Sequence, residues 1–404
     1  MSTATIPERF AAILDGTVSP YELYRAAREQ SPIFYSAVTD SWVLSRHREV
    51  KRVLEDEEHF GPLSYGAGSS AIHGRVILHM SGHEHRKKSA LLARRLRSPK
   101  LIEESYRPLA EKLTDTYLDR IETGEPVDLK ALFTTPLPLQ ITAEIMGIPE
   151  ATSFRHWYDM IVAAGASNLR GDPEVSRRGL EARGRLAEFL RPVIAQRRRE
   201  PRDDMLSDLC NFEFEGEPLS DEEVLSFCSF LLAAGVETTD RALSSLIRYL
   251  VDHPEVWAQL AADRSLIMSA CAEILRYAPP VHGVSRGVLA PTELAGREID
   301  QGEKVFVLIA SANRDEELFT APEEYVVDRF TDNAQRQFTP KADILSFGAG
   351  RHHCTGSLLA QMEMVVAVNR LLDRFSAAEW VHGSPDEVGY VLRSPPHLWV
   401  SLRA

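Results

Sequence analysis

Cysteine is scarce in this chain and never paired. Its 404 residues contain four, and Cys210, Cys228, Cys271 and Cys354 leave no two at the spacing of a metal clip. A zinc knuckle and a disulfide framework are therefore set aside, and a reducing, cytoplasmic setting is expected. Long apolar runs are also missing. The longest, near Leu231, is broken by Ser229 and ends by Glu237, and Met1 to Arg9 carry neither a basic leader nor an apolar span, so no membrane-anchored form is expected. Cationic excess is absent too: 46 Lys and Arg against 59 Asp and Glu give a net charge of −13, which argues against a nucleic-acid partner. There is no internal repeat and no low-complexity linker. What remains is 44% hydrophobic and 26% charged residues, an ordinary globular composition on a chain long enough to enclose a large cavity.

One cysteine stands apart. Phe347 to Gly356 reads Phe-Gly-Ala-Gly-Arg-His-His-Cys-Thr-Gly and runs into Ser-Leu-Leu-Ala-Gln-Met-Glu, a glycine-punctuated loop that places Cys354 at the mouth of a helix. A lone thiolate there serves as a nucleophile or as an axial metal ligand. The setting favours the ligand: free N–H groups and the positive end of the helix dipole stabilise the thiolate, and Gly350 and Gly356 remove side chains that would hold a flat cofactor away. The other three cysteines fall in helical patterns and read as small core residues.

The loop resembles the haem-binding loop of the cytochrome P-450 family, in the form common among soluble bacterial members, with Phe347, Gly348, Gly350 and Gly356 shaping it and Cys354 as ligand of the iron of haem b. A second stretch agrees. Ser220 and Glu223 form a capping box, with Leu219 and Val224 as its staple, and open a long helix whose centre, Leu-Leu-Ala-Ala-Gly-Val-Glu-Thr-Thr at 231–239, is rich in small and polar residues. It resembles the family's distal motif. The resemblance implies that Glu237 and Thr238 relay protons through water during oxygen activation, while Ala234 and Gly235 leave room for the oxygen. A third match is Glu273 with Arg276, an acid and a base on one helical face. Together with Arg329 in Phe319–Phe330 they resemble the family's structural Glu-Arg-Arg cluster.

Haem propionates need donors, and the resemblance assigns them to His352, Arg286 and His85. Two positions depart from the family pattern. Ser89 stands where an arginine is usual, with Lys87 or Lys88 as substitutes, and Gln361 replaces another arginine. From His85 to Lys100 the chain carries Arg86, Lys87, Lys88, Arg94, Arg95, Arg97 and Lys100 without an acid. That strip reads either as a solvated helix face or, by the resemblance, as the docking face of an acidic ferredoxin fed from NAD(P)H through a ferredoxin reductase.

The expected fold is mainly α with a small β region, an α+β triangular helix-rich cytochrome P-450 domain with haem between the long distal helix and the cysteine loop. One domain is expected over 1–404, β-rich at about 30–60, 280–335 and 380–404, and helical at about 61–279 and 340–375. Ser19-Pro20-Tyr21-Glu22 predicts a capping box, Ile33–Ala37 and Trp42–Ser45 a hairpin, and Val305–Ala310 and His397–Leu402 late strands that bring both chain ends into one sheet region. Helices are predicted at about 46–56, 84–97, 100–122, 137–147, 150–166, 174–199, 220–251, 254–263, 266–277 and 356–374.

Gly66 to Ala71 imitates a dinucleotide fingerprint, but no strand leads into it, and it reads as a mobile loop over the distal pocket. His83-Glu-His85 and His352-His-Cys354 lack a full ligand set for zinc or non-haem iron. Pocket walls are expected from Pro62–Ile77, Ala166–Pro173, Leu231, Val281, His282, Val284 and Val391. The implied function is a monooxygenase that inserts one oxygen atom of O2 into a small organic substrate, such as a natural-product intermediate, acting as a monomer. Oxidative coupling, rearrangement, peroxide-driven oxidation and a nonenzymatic haem sensor are the alternatives.

Overall fold

The structure is a computed structural model that describes residues 4–63, 72–149, 151–167 and 172–404. Helices dominate, and those that frame the site are α1 (Tyr21–Gln30), α2 (His47–Glu55), α3 (Gly82–Leu96), α4 (Pro136–Met146), α5 (Ala151–Val162), α6 (Pro173–Arg199), α7 (Asp221–Asp252), α8 (Ile267–Tyr277) and α9 (Ser357–Arg374). Each lies where helical periodicity places it, to within a few residues. α7 begins on the expected capping box: Ser220 Oγ accepts the Glu223 N–H at 3.2 Å, and Glu223 Oε2 accepts the Ser220 N–H at 3.0 Å. Leu219 and Val224 are both buried beside it, as a staple requires.

The capping box expected at Ser19 does not form. Pro20 already has helical torsions, φ −87° and ψ −9°, and occupies the cap of α1 with no side-chain bond. It has no N–H to satisfy, so that end needs less capping. A short helix at Ile6–Ile13, which the sequence reading did not anticipate, precedes it.

β1 (Ile33–Ser36), β2 (Ser41–Leu44), β3 (Phe60–Gly61), β4 (Val284–Val288) and β5 (Lys304–Val307) form one sheet in the order β1-β2-β5-β4-β3. β1 and β2 are the expected hairpin, with Ile33 opposite Leu44, whereas β5 runs parallel to β2. The run Val305–Ala310 is not all strand: β5 ends at Val307, and Ile309–Ala312 is a helical turn. A short buried apolar run without alternation fits either state, so tertiary packing decides it. The C-terminal strand Trp399–Arg403 joins a separate sheet with Ala377–Trp380 and Pro126–Asp128. The two chain ends therefore do not share a sheet.

α7 crosses two apolar clusters. Its first half packs with α4, α5 and α6, and its second half with α8 and α9. Burial along it is unbroken from Val224 to Phe230 and again from Ala242 to Ile247. No helix among the described residues is long and apolar enough to cross a membrane.

Candidate active site

The break in the burial of α7 locates the site. Between its two buried runs, Leu231, Gly235 and Thr238 are half-buried and Ala234 is exposed. At 3.6 residues per turn these four share one face, so a strip of small side chains in the middle of an otherwise buried helix borders an opening. Thr238 Oγ donates to the Ala234 carbonyl at 2.8 Å, and Thr239 Oγ to that of Gly235 at 3.0 Å. Hydroxyls bonded back by one turn in this way loosen the ladder.

Gly235 needs a different explanation from the one its motif suggests. A Cβ on it would meet Thr142 Oγ of α4 at 3.1 Å, so the missing side chain lets α7 approach α4 instead of widening the opening. Glu237 is held on two sides. Its Oε2 accepts the Tyr158 hydroxyl of α5 at 2.9 Å, and its Oε1 accepts Arg241 Nε at 2.7 Å. Burial and the Glu237 carboxylate push the Tyr158 phenol well above its ordinary value. Arg241 also donates to Ser394 Oγ at 3.1 Å, which ties α7 to the C-terminal region. The Glu237–Arg241 spacing is visible in the sequence as an i, i+4 pair. Tyr158 carries no sequence signal.

Cys354 precedes α9, and its N–H donates to the Phe347 carbonyl at 2.8 Å, which closes the loop. The residue is exposed, and the surrounding protein still pushes its thiol up by desolvation. Two groups act in the opposite direction: the Gly356 N–H and the Arg97 guanidinium pull the thiol down. Gly356 and Gly350 serve unlike purposes. A Cβ on Gly356 would lie 4.0 Å from Cys354 Sγ, on the sulfur's own side, whereas one on Gly350 (φ 65°) would strike the backbone of α2, at 2.8 Å from the Leu54 carbonyl oxygen. Gly350 is therefore required by loop-on-helix packing, a reason its motif does not reveal. Gly348 also has a left-handed φ of 70°, and Phe347 packs beside Phe338.

Three basic side chains gather beside this loop: His85, His352 and Arg286. The rings of His85 and His352 lie 4.0 Å apart, and His85 Nδ1 is buried with no partner among the described residues. Burial, with His85 and Arg286 nearby, pushes His352 down to about 3. Among the described residues the Arg286 side chain donates only to the adjacent Ser285 carbonyl, at 3.0 Å, and burial alone lowers its pKa. Three desolvated basic groups with unused donors fit an anionic ligand. Lys88 is not among them. It is buried between Glu84 and Glu223, at 2.9 Å from each, so it does not stand in for the arginine missing at Ser89. Gln361 is likewise committed, to an amide pair with Gln335 at 2.7 Å.

The basic strip divides in three. Arg95 is held by Asp203 and Asp208, and Arg97 turns inward to the cysteine loop. Arg86, Lys87 and Arg94 stay exposed, with no ion pair among the described residues. Glu273, Arg276 and Arg329 meet as the motifs suggest. Arg276 grips Glu273 with two bonds of 2.8 Å, both side chains at 0% exposure, and Arg329 Nε adds a third at 3.0 Å. Arg276 also donates to the Pro322 and Glu324 carbonyls, each at 2.7 Å, which ties α8 to the segment ahead of the cysteine loop.

The family description Cytochrome P-450 matches residues 19–396. The chain belongs to the cytochrome P-450 family. It is 31% identical to pulcherriminic acid synthase of Bacillus subtilis over 88% of each chain. It is 30% identical to cyclomarin C epoxidase of Salinispora arenicola over 92% of each. Among solved structures, P-450BioI in complex with an acyl carrier protein bearing hexadec-9Z-enoic acid superimposes with a TM-score of 0.85 at 26% identity, covering 97% of this chain and 99% of that one. A testosterone complex of a Bacillus megaterium member gives 0.82 at 26%, covering 96% and 100%. Cytochromes P-450 are haem b monooxygenases, so this chain is an oxidoreductase of that class.

Of the expected pocket walls of this cytochrome P-450, Leu231 borders the opening and Val281, Val284 and Val391 are half-buried. His282 does not face a pocket. It is 1% exposed, and its ring packs against Tyr21 and Tyr24 of α1, with Nδ1 at 3.3 Å from the Tyr24 hydroxyl. The loop at Gly66–Ala71 and residues 168–171 of the Ala166–Pro173 segment lie outside the described residues.

Proposed function

We propose that Cys354 is the axial ligand of the haem, that His85, His352 and Arg286 hold its propionates, and that the chain oxygenates a small organic molecule with electrons from a ferredoxin. The observation that carries this reading is the group of desolvated donors, His85, His352 and Arg286, beside the exposed Cys354, with His85 Nδ1 buried and unpartnered among the described residues. Haem, when bound, supplies the oxygen activation, and a cysteine thiolate favours O–O cleavage in that chemistry.

The protein's own residues supply placement and protons. Thr238 presents a hydroxyl at the open face of α7, where its bond to the Ala234 carbonyl fixes the rotamer. Glu237 is the reservoir behind it. Its carboxylate must let go of Tyr158 or Arg241 to exchange a proton, which makes delivery a gated step. Arg86, Lys87 and Arg94 form the docking face for an acidic iron–sulfur partner in this reading, and the role of Glu273, Arg276 and Arg329 is structural. We also read the chain as one cytoplasmic domain, since the motifs from His85 to Gly356 serve one cofactor. The relatives' names, an epoxidase and a synthase of natural products, support a substrate of that class.

The test is turnover by the purified haem protein with ferredoxin, reductase and a natural-product library screened for the low-to-high-spin optical shift. A product carrying one oxygen from labelled dioxygen is expected. Products formed only with peroxide, or reduction rates indifferent to salt, would overturn the oxygenase reading and the docking reading respectively.

A further inference from the structure

Arg97 has a place in this structure that neither the motifs nor the family match assigns. It is the cap residue at which α3 ends. Its Nη2 reaches three acceptors on the cysteine loop: His353 Nδ1 at 3.0 Å, the His353 carbonyl at 3.1 Å and the Cys354 carbonyl at 2.8 Å. A guanidinium can only donate, so Nδ1 of His353 is the accepting nitrogen. At the opposite end of α3, His85 lies against His352. Twelve residues of helix, about 18 Å of rise, separate the two contacts, so α3 braces the loop from both ends. Arg97 makes no ion pair among the described residues, and its charge is left uncompensated at the ligand residue itself.

We propose that Arg97 is a positioning residue that fixes the cysteine loop and, through its charge, makes the haem iron easier to reduce; this rests on the reading of Cys354 as the axial ligand. Reduction adds one electron, taken from a one-electron donor, to a unit whose sulfur is already anionic, and no bond forms or breaks. A fixed cation bonded to the ligand's own carbonyl at 2.8 Å favours the more negative state, and at that separation the attraction is only partly screened. His85, His352 and Arg286 are assigned to the cofactor's rim in the proposed function, whereas Arg97 acts on the ligand.

The experiment compares haem-loaded wild type with Arg97→Gln and Arg97→Lys, reading the iron reduction potential and the reduced carbonyl spectrum. A wild type without the red-shifted band of sulfur ligation removes the reading on which the inference stands, before any variant is considered. Given that band, Arg97→Gln is expected to shift the reduction equilibrium about tenfold towards the oxidised form, about 59 mV for one electron. Arg97→Lys keeps the charge and should stay within about twofold of wild type while losing its carbonyl band faster on warming, because the fork is gone. An unchanged potential in Arg97→Gln, or a fall in Arg97→Lys as large as in Arg97→Gln, overturns the proposal. Should Arg97→Gln fail to take up haem, Arg97→Lys decides: wild-type loading and potential support it, and failure to load contradicts it.

Discussion

Thr238 and Glu237 were legible as residue types but not as geometry. The sequence places a carboxylate next to a hydroxyl. It does not say that the carboxylate is clasped by Tyr158 and Arg241, because Tyr158 comes from a helix 79 positions away. That clasp leads to a prediction. Tyr158→Phe frees one carboxylate oxygen without changing the shape of the wall, so proton delivery should speed up or uncouple; the check is the ratio of product to electrons consumed. Thr238→Ala should lower that ratio severalfold while haem binding stays intact, and full coupling in that variant would remove Thr238 from the relay. Glycine was the least legible residue. Gly235 and Gly350 look like concessions to a cofactor, yet a Cβ would press tightly on Thr142 at the first and strike the backbone of α2 at the second.

The helices follow from periodicity and caps, and α7 in particular from its capping box. Ser220→Ala should cost about 1 kcal/mol, the usual worth of an N-cap, read from the urea midpoint. For α3, sequence alone shows a uniform basic strip, and only tertiary contacts separate its members. Reversing charge at Arg86 and Arg94 should therefore flatten the salt dependence of ferredoxin reduction without unfolding the protein. Reversal at Arg95 should instead destabilise it, since Asp203 and Asp208 lose their partner. α3 also carries a pH effect. Arg75 and Lys88 hold Glu84 down to about 2 from an ordinary 4.5, so its folded value lies below its unfolded one. That contribution to stability is complete above about 4.5 and is lost as the pH falls towards 2. Glu84→Gln should show a shallower acid limb than wild type in a pH series of unfolding midpoints, and identical limbs would contradict this. The strands were harder to read: Pro126–Asp128, three residues long, offers no alternation to detect.

At the scale of the molecule, α7 joins two apolar clusters, and the Glu273, Arg276 and Arg329 cluster ties α8 to the chain ahead of the cysteine loop. Stranding one partner of such a buried pair costs about 3–5 kcal/mol. Glu273→Gln should accordingly lower the unfolding midpoint and yield haem-poor protein, whereas a variant with full haem content would contradict the structural role. All of this depends on how the cofactor is held. The most direct measurement is the absorbance of the reduced carbonyl form of the haem-loaded protein beside that of Cys354→His. The wild type is predicted to show the red-shifted Soret band of a sulfur-ligated haem and the variant to lack it; a wild type without that band, or a variant that keeps it, would contradict the account.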